Sequence, residues 1–286
     1  MRWTSGGPSR NVEDRRGSSG MRLAPVGVGG GIIILILSLL FGRDFSTGPS
    51  TTATPDSAPG TVAPIEESPE EAREAQLVSF VLDTAQVTWS HLVPQTWGVP
   101  WRDAKLVLYR QATPTACGIG QSGMGPFYCP VDQKVYIDLS FYDELRDRFG
   151  APGEFAEAYV LTHELGHHVQ HLLGTDAKVR ELQHQRPDLG NALSVALELQ
   201  ADCYSGIWAH YTASEKILEP GDIEEGLAAA SAVGDDRIQR SMTGHVDVDS
   251  FTHGSAAQRA AWFSRGFQSG DPRDCDTFSA GAPSER

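Results

Sequence analysis

A chain of 286 residues, 40% apolar and 21% charged, has room for one domain of about 200 residues with a real core, plus further chain. Its net charge of −14 is uneven: residues 1–22 hold five Arg against one Glu and one Asp, so the excess acid lies in the remainder and argues against nucleic acid as a partner. The four cysteines, Cys117, Cys129, Cys203 and Cys275, lack the Cys-x-x-Cys spacing of a structural zinc site and read as disulfides formed outside the cytosol.

In chain order, residues 1–22 are polar and basic with Gly and Ser, and are expected to be a disordered cytoplasmic tail. Residues 23–42 form an apolar run, densest from Ile32 to Phe41, which at about 1.5 Å per residue just reaches across a bilayer. Arg43 and Asp44 follow it instead of a small-x-small cleavage site, so it reads as one transmembrane helix, not a cleaved signal. The arginines before it place the N-terminus inside the cell membrane and the rest of the chain outside. Residues 43–69, rich in Ser, Thr and Pro, read as a flexible linker, and residues 70–286 as one α+β domain, mainly helical with a small sheet.

Within that domain, Ser68 followed by Glu70 and Glu71 signals a helix start, and an apolar face runs to about His91 before Pro94 and Pro100. Lys105–Arg110, Phe127-Tyr128 and Val135–Leu139 are strand candidates, with Thr113–Met124 as loop between them. Helices are expected over Phe141–Phe149, then from Pro152 to Gly174, over Asp176–Gln185 on the surface, over Asp188–Tyr211, after Pro220-Gly221-Asp222, and over Ser255–Phe267. Four cysteines allow three connectivities. Cys117 with Cys129 around a Gly-rich loop, and Cys203 with Cys275 tying a helix to the tail, is the pairing expected here.

The chemistry centres on His163-Glu164-Leu165-Gly166-His167. On a helix, positions i and i+4 share a face, so both imidazoles can reach one ion, and Glu164 stands beside it to take a proton from an activated water. A catalytic zinc wants a third protein ligand and one open position. In one large class of zinc peptidases that ligand is a Glu on a following helix, with an Asp one turn later; Glu198 and Asp202 match this, Asp202 orienting a ligand imidazole through its far nitrogen. His171 lies about 12 Å from His163 along a helix and cannot join the set. His168 and His171 are expected to support the ligands or face solvent, and His184 to be exposed.

The segments His163–Gln170 and Glu198–Cys203 resemble the bacterial neutral zinc metallopeptidase family, membrane-anchored proteins of the gluzincin type. Gly125–Pro130, Gly234–Arg237, Met1–Trp3 and Asn11–Arg16 match it as well. The resemblance implies a zincin-like fold and a single zinc. His253 and Arg259, six apart, resemble a His…Arg segment of membrane-embedded gluzincins, although Gly254 stands where those have Pro. By that analogy His253 hydrogen-bonds the oxyanion and Arg259 orients it or an acidic neighbour; alternatively His253 caps the last helix, and His245 is the substitute candidate. The expected function is a membrane-anchored zinc metalloendopeptidase acting on protein or peptide substrates. The alternative is a zinc-containing extracytoplasmic binding or scaffold domain without catalysis.

Overall fold

The computed structural model describes residues 1–4, 6–17 and 65–279. The expected transmembrane helix at 23–42 and most of the linker lie outside these residues, and no described helix is long and apolar enough to cross a membrane.

A first helix, α1 (Pro69–Trp97), starts where Ser68 accepts the Glu71 backbone N–H, and its face of Leu77, Val78, Val81, Leu82, Ala85 and Trp89 is buried. It does not stop at Pro94 but runs through it to Gly98, whose left-handed conformation closes the last turn. Pro94 lacks only one N–H, a loss near the C-terminus that burial of Leu92 and Val93 outweighs.

Four strands form a mixed sheet in the order β1-β2-β6-β5, with β1 (Val12–Asp14), β2 (Lys105–Tyr109) and β6 (Lys134–Asp138) parallel and β5 (Phe127–Cys129) antiparallel at one edge. The span expected as loop folds instead into a hairpin, β3 (Ala112–Thr115) and β4 (Gly118–Gln121). Its Gly content hid the alternation that marks a strand.

The tail needs correcting. Residues 12–14 pair in register with Leu106–Leu108, so part of the expected disordered segment is a sheet strand. The Arg16 side chain is 4% exposed and ion-pairs with Asp14 and Glu67 at 2.6 and 2.9 Å. The Met1 ammonium meets Asp222 at 3.1 Å, and the Trp3 ring N–H donates to Glu154 at 2.9 Å. The arginines read as a solvated charge run, yet the tail's partners include Glu67, Glu154 and Asp222 far along the chain, where spacing gives no signal.

Helices α2 (Ser140–Asp147), α3 (Glu154–Leu173), α4 (Thr175–Gln185), α5 (Gly190–Ser214), α6 (Asp222–Ala232), α7 (Asp235–Thr243) and α8 (Ala256–Ser269) complete the domain. The core lies between the sheet, α1, α3, α5, α6 and α8, with Phe155, Tyr159, Trp208 and Phe263 fully buried in it.

Two glycine contacts decide how α3, α5 and α8 approach. A Cβ on Gly166 would stand 3.0 Å from the Ala201 backbone, so Gly166 lets α3 and α5 close between the His163/His167 and Glu198/Asp202 pairs. A Cβ on Gly206 would stand 2.1 Å from the Phe263 carbonyl, which fixes α8 directly on α5. Both expected cysteine pairs are disulfides: Cys117–Cys129 ties the β3–β4 turn to β5, and Cys203–Cys275 ties α5 to the C-terminal segment.

Candidate metal centre and active site

Helix α3 carries His163, Glu164 and His167 one turn apart, all turned toward α5 or the cleft beneath β5. Across the Gly166–Ala201 contact, Glu198 Oε2 lies 3.2 Å from His163 Nε2, and Glu198 Oε1 lies 3.5 Å from His167 Nε2. Two ligands at 2.0–2.1 Å from one tetrahedral zinc are about 3.4 Å apart, so these separations suit a single ion. The donor atoms of all three residues lie within 4.8 Å of one another. Two imidazoles and a carboxylate are also a donor set that zinc accepts while keeping a fourth position open. A second acidic group, Glu70, Glu74 and Asp143, is partly exposed, and Arg146 already bridges Glu70 and Asp143.

Electrostatics follow from burial against charge. Burial opposes ionisation of Glu198, but His167 and His163 outweigh it and hold the carboxyl below the usual carboxylate range. His163 moves the other way for the same reason: burial resists its charge, and Asp202 overcomes that, raising it to about 10. A bound metal therefore has to displace a proton here. Glu164 is 8% exposed, and burial pushes its carboxyl up to about 7, with neighbouring positive charge and the Tyr128 backbone N–H pulling slightly downward.

Behind the ligands lies a fully enclosed cluster. Asp202 is 0% exposed, and its Oδ1 accepts from His163 Nδ1 at 2.9 Å and from the Tyr159 hydroxyl. Arg259 from α8 forks onto both Asp202 oxygens at 2.8 and 3.0 Å, and also reaches Tyr159 at 3.2 Å. The structure thus brings Asp202 and Arg259 together directly behind His163. Tyr159 was legible only as an apolar helix residue, although its place four before His163 puts it on the same face.

His253 lines the cleft with the triad. Its Nδ1 lies 3.0 Å from Asp235 Oδ1, while Asp235 Oδ2 accepts the backbone N–H groups of Thr252, His253 and Gly254. Burial opposes the imidazolium, but the Asp235 bond outweighs it and raises His253. The cap of α8 is Ser255, which accepts the Gln258 N–H, so His253 is not the capping residue. His245 is exposed and lies outside the cleft, as is His184 on α4.

Of two further supporting residues, His168 was expected either to support a ligand or to face solvent, and Gln170 was missed in the sequence. His168 is completely buried, accepting at Nδ1 from the Tyr128 hydroxyl of β5 (2.9 Å) and donating at Nε2 to the Arg102 carbonyl (2.6 Å). Burial lowers it to about 4, so it is a neutral bridge from α3 to the edge strand. Gln170, three residues after His167, presents its Oε1 to His167 Nδ1 at 2.8 Å. His171 instead pairs with Asp176 at 3.0 Å.

The cleft is walled by apolar side chains, among them Phe141, Phe149, Val160 and Leu197, and by β5 with its flanking Gly125, Pro126 and Pro130. A mainly helical α+β domain with His, His and Glu converging beside such a cleft is of the zinc metallopeptidase class. The chain belongs to that family: the model of the family described as "Putative neutral zinc metallopeptidase" matches residues 1–278. It is 48% identical to the uncharacterized protein YpfJ of Escherichia coli, over 97% of this chain and 99% of that one. It is 44% identical to the uncharacterized proteins Mb2605 of Mycobacterium bovis and Rv2575 of Mycobacterium tuberculosis, over 69% of this chain and 68% of each of those. No solved structure matches.

Proposed function

We propose that the protein is a zinc metalloendopeptidase that cuts a protein or peptide chain lying along β5. The observation that carries this reading is the open cleft at the triad, with Glu164 and His253 on its wall. One zinc held by His163, His167 and Glu198 supplies Lewis acidity, lowering the pKa of a water towards 7 and polarising a carbonyl. Glu164 accepts the proton of the attacking water and passes it to the leaving nitrogen. His253, charged and held by Asp235, donates to the developing oxyanion. Among the described residues β5 is the edge strand on the cleft side of the sheet, and an extended substrate adds along it as a further strand beside the Tyr128 N–H that faces Glu164. Apolar walls favour large apolar side chains beside the cut.

The rival reading, a metal clamp in a binding or scaffold domain, calls for a closed coordination sphere, and the cleft at the triad supports the peptidase instead. Cleavage of a peptide library by zinc-loaded wild type, set against Glu164→Gln, tests the assignment.

The location proposed with this function is outside the cytosol, since disulfides persist in oxidising compartments, with the apolar run at 23–42 as the proposed membrane anchor. The pairing of residues 12–14 with β2 supports placing the tail on the same side of the membrane as the domain, against the cytoplasmic side expected for it from the arginines. Cysteines introduced at Gly6, where a Cβ meets nothing within 4 Å, and at Val131, 71% exposed, report the two parts. In right-side-out vesicles a membrane-impermeant maleimide is expected to label both; labelling of Val131→Cys alone returns the tail to the cytoplasm.

A further inference from the structure

A line of buried amides runs from His167 to the Cys203–Cys275 disulfide. Gln170, 0% exposed, gives its Oε1 to His167 and its Nε2 to the Leu197 carbonyl (2.7 Å) and Gln200 Oε1 (3.1 Å). Gln200, 7% exposed, donates its own Nε2 to the Cys275 carbonyl at 2.9 Å. That carbonyl stands where it does because Cys275 is bonded to Cys203, one turn further along α5. Thr277 adds a second clamp, donating to the Ala196 carbonyl at 2.6 Å. Each amide's orientation is settled by the next: Gln200 must point Nε2 at Cys275, so its Oε1 faces Gln170, so Gln170 Nε2 faces it and Oε1 faces His167. With Oε1 there, His167 carries its proton on Nδ1 and leaves Nε2 as the lone-pair nitrogen facing Glu198.

We propose that Gln170 and Gln200 are positioning residues that transmit the disulfide's constraint to His167, so that zinc affinity depends on the Cys203–Cys275 bond. His163 Nδ1 is held by a charged cluster and His167 Nδ1 by this neutral relay, which makes His167 the ligand that responds when the C-terminal segment is released. The inference rests on the triad being the zinc site, but not on hydrolysis.

The experiment is zinc affinity by chelator competition, read alongside the thermal midpoint of the metal-free protein. Loss of a group that orients a ligand costs about 10–100-fold in metal affinity, and Gln170→Met is expected to fall in that range. Gln170→Glu keeps an acceptor for His167 but has no Nε2 donor for the Leu197 carbonyl and Gln200, so it is expected to recover little of the loss. Cys203→Ala/Cys275→Ala is expected to weaken zinc in the same sense, and adding it to Gln170→Met to bring little further loss, since coupled sites are not additive. Gln200→Met checks the middle of the relay where the disulfide variant folds poorly. Unchanged affinity in Gln170→Met, or fully additive losses, overturns the relay. Wild type that takes up no zinc overturns the triad and the relay together.

Discussion

Glu164→Gln is expected to reduce peptide hydrolysis by about 10²–10⁴-fold, the usual contribution of a positioned general base, while the protein keeps its zinc. Gln fills the same space but cannot accept a proton, and Glu164 is not one of the three residues whose donor atoms converge. The pH profile should change with it. Burial raises the Glu164 carboxyl to about 7, and the group must be ionised to act as base, so the wild-type rate climbs as pH rises towards that value. A divalent cation at the triad attracts the carboxylate and shifts this limb below 7. The residual rate of the variant should lack the limb. A variant that loses zinc would show Glu164 to be a ligand, and one with undiminished rate would remove it from the chemistry.

The second large effect concerns stability. Asp202→Asn leaves the Arg259 guanidinium, 4% exposed, without a charged partner, and breaking a buried pair in this way costs about 3–5 kcal/mol. The same change weakens the hold on the His163 ring. Asp202→Leu combined with Arg259→Met removes both charges and is expected to regain much of the stability without regaining zinc affinity. Urea unfolding of the metal-free proteins measures the first quantity and chelator competition the second. A loss below about 1 kcal/mol in Asp202→Asn would show that water reaches the pair.

These two results bear on what was legible in the chain. His163 and His167 could be read because helical spacing places them on one face, and Glu198 and Asp202 because they match the pattern of one class of zinc peptidases; the fold had only to bring the two helices together. Gly166 is what permits that closeness, and its role needed the position of Ala201. Arg259 and His253 were legible as a pair by analogy, but their anchors, Tyr159 and Asp235, act across helices that no local pattern connects. The hairpin at β3 and β4 and the strand at β1 were missed for related reasons. Short Gly-rich strands carry little alternation, and an arginine-rich tail looks solvated until its acids at Glu67, Glu71, Glu154 and Asp222 are placed in space. The long, strongly patterned helices of the domain were read nearly to their ends apart from the stop expected at Pro94, whereas the short polar helix α7 was not read as a helix.

The central claim is that His163, His167 and Glu198 hold one catalytic zinc. Metal content of the purified protein measures it most directly, with wild type, Glu164→Gln and Glu198→Ala prepared side by side and exchanged against a weak chelator. The account predicts about one zinc per chain in the first two and almost none in the third. Zinc retained in full by Glu198→Ala would contradict it.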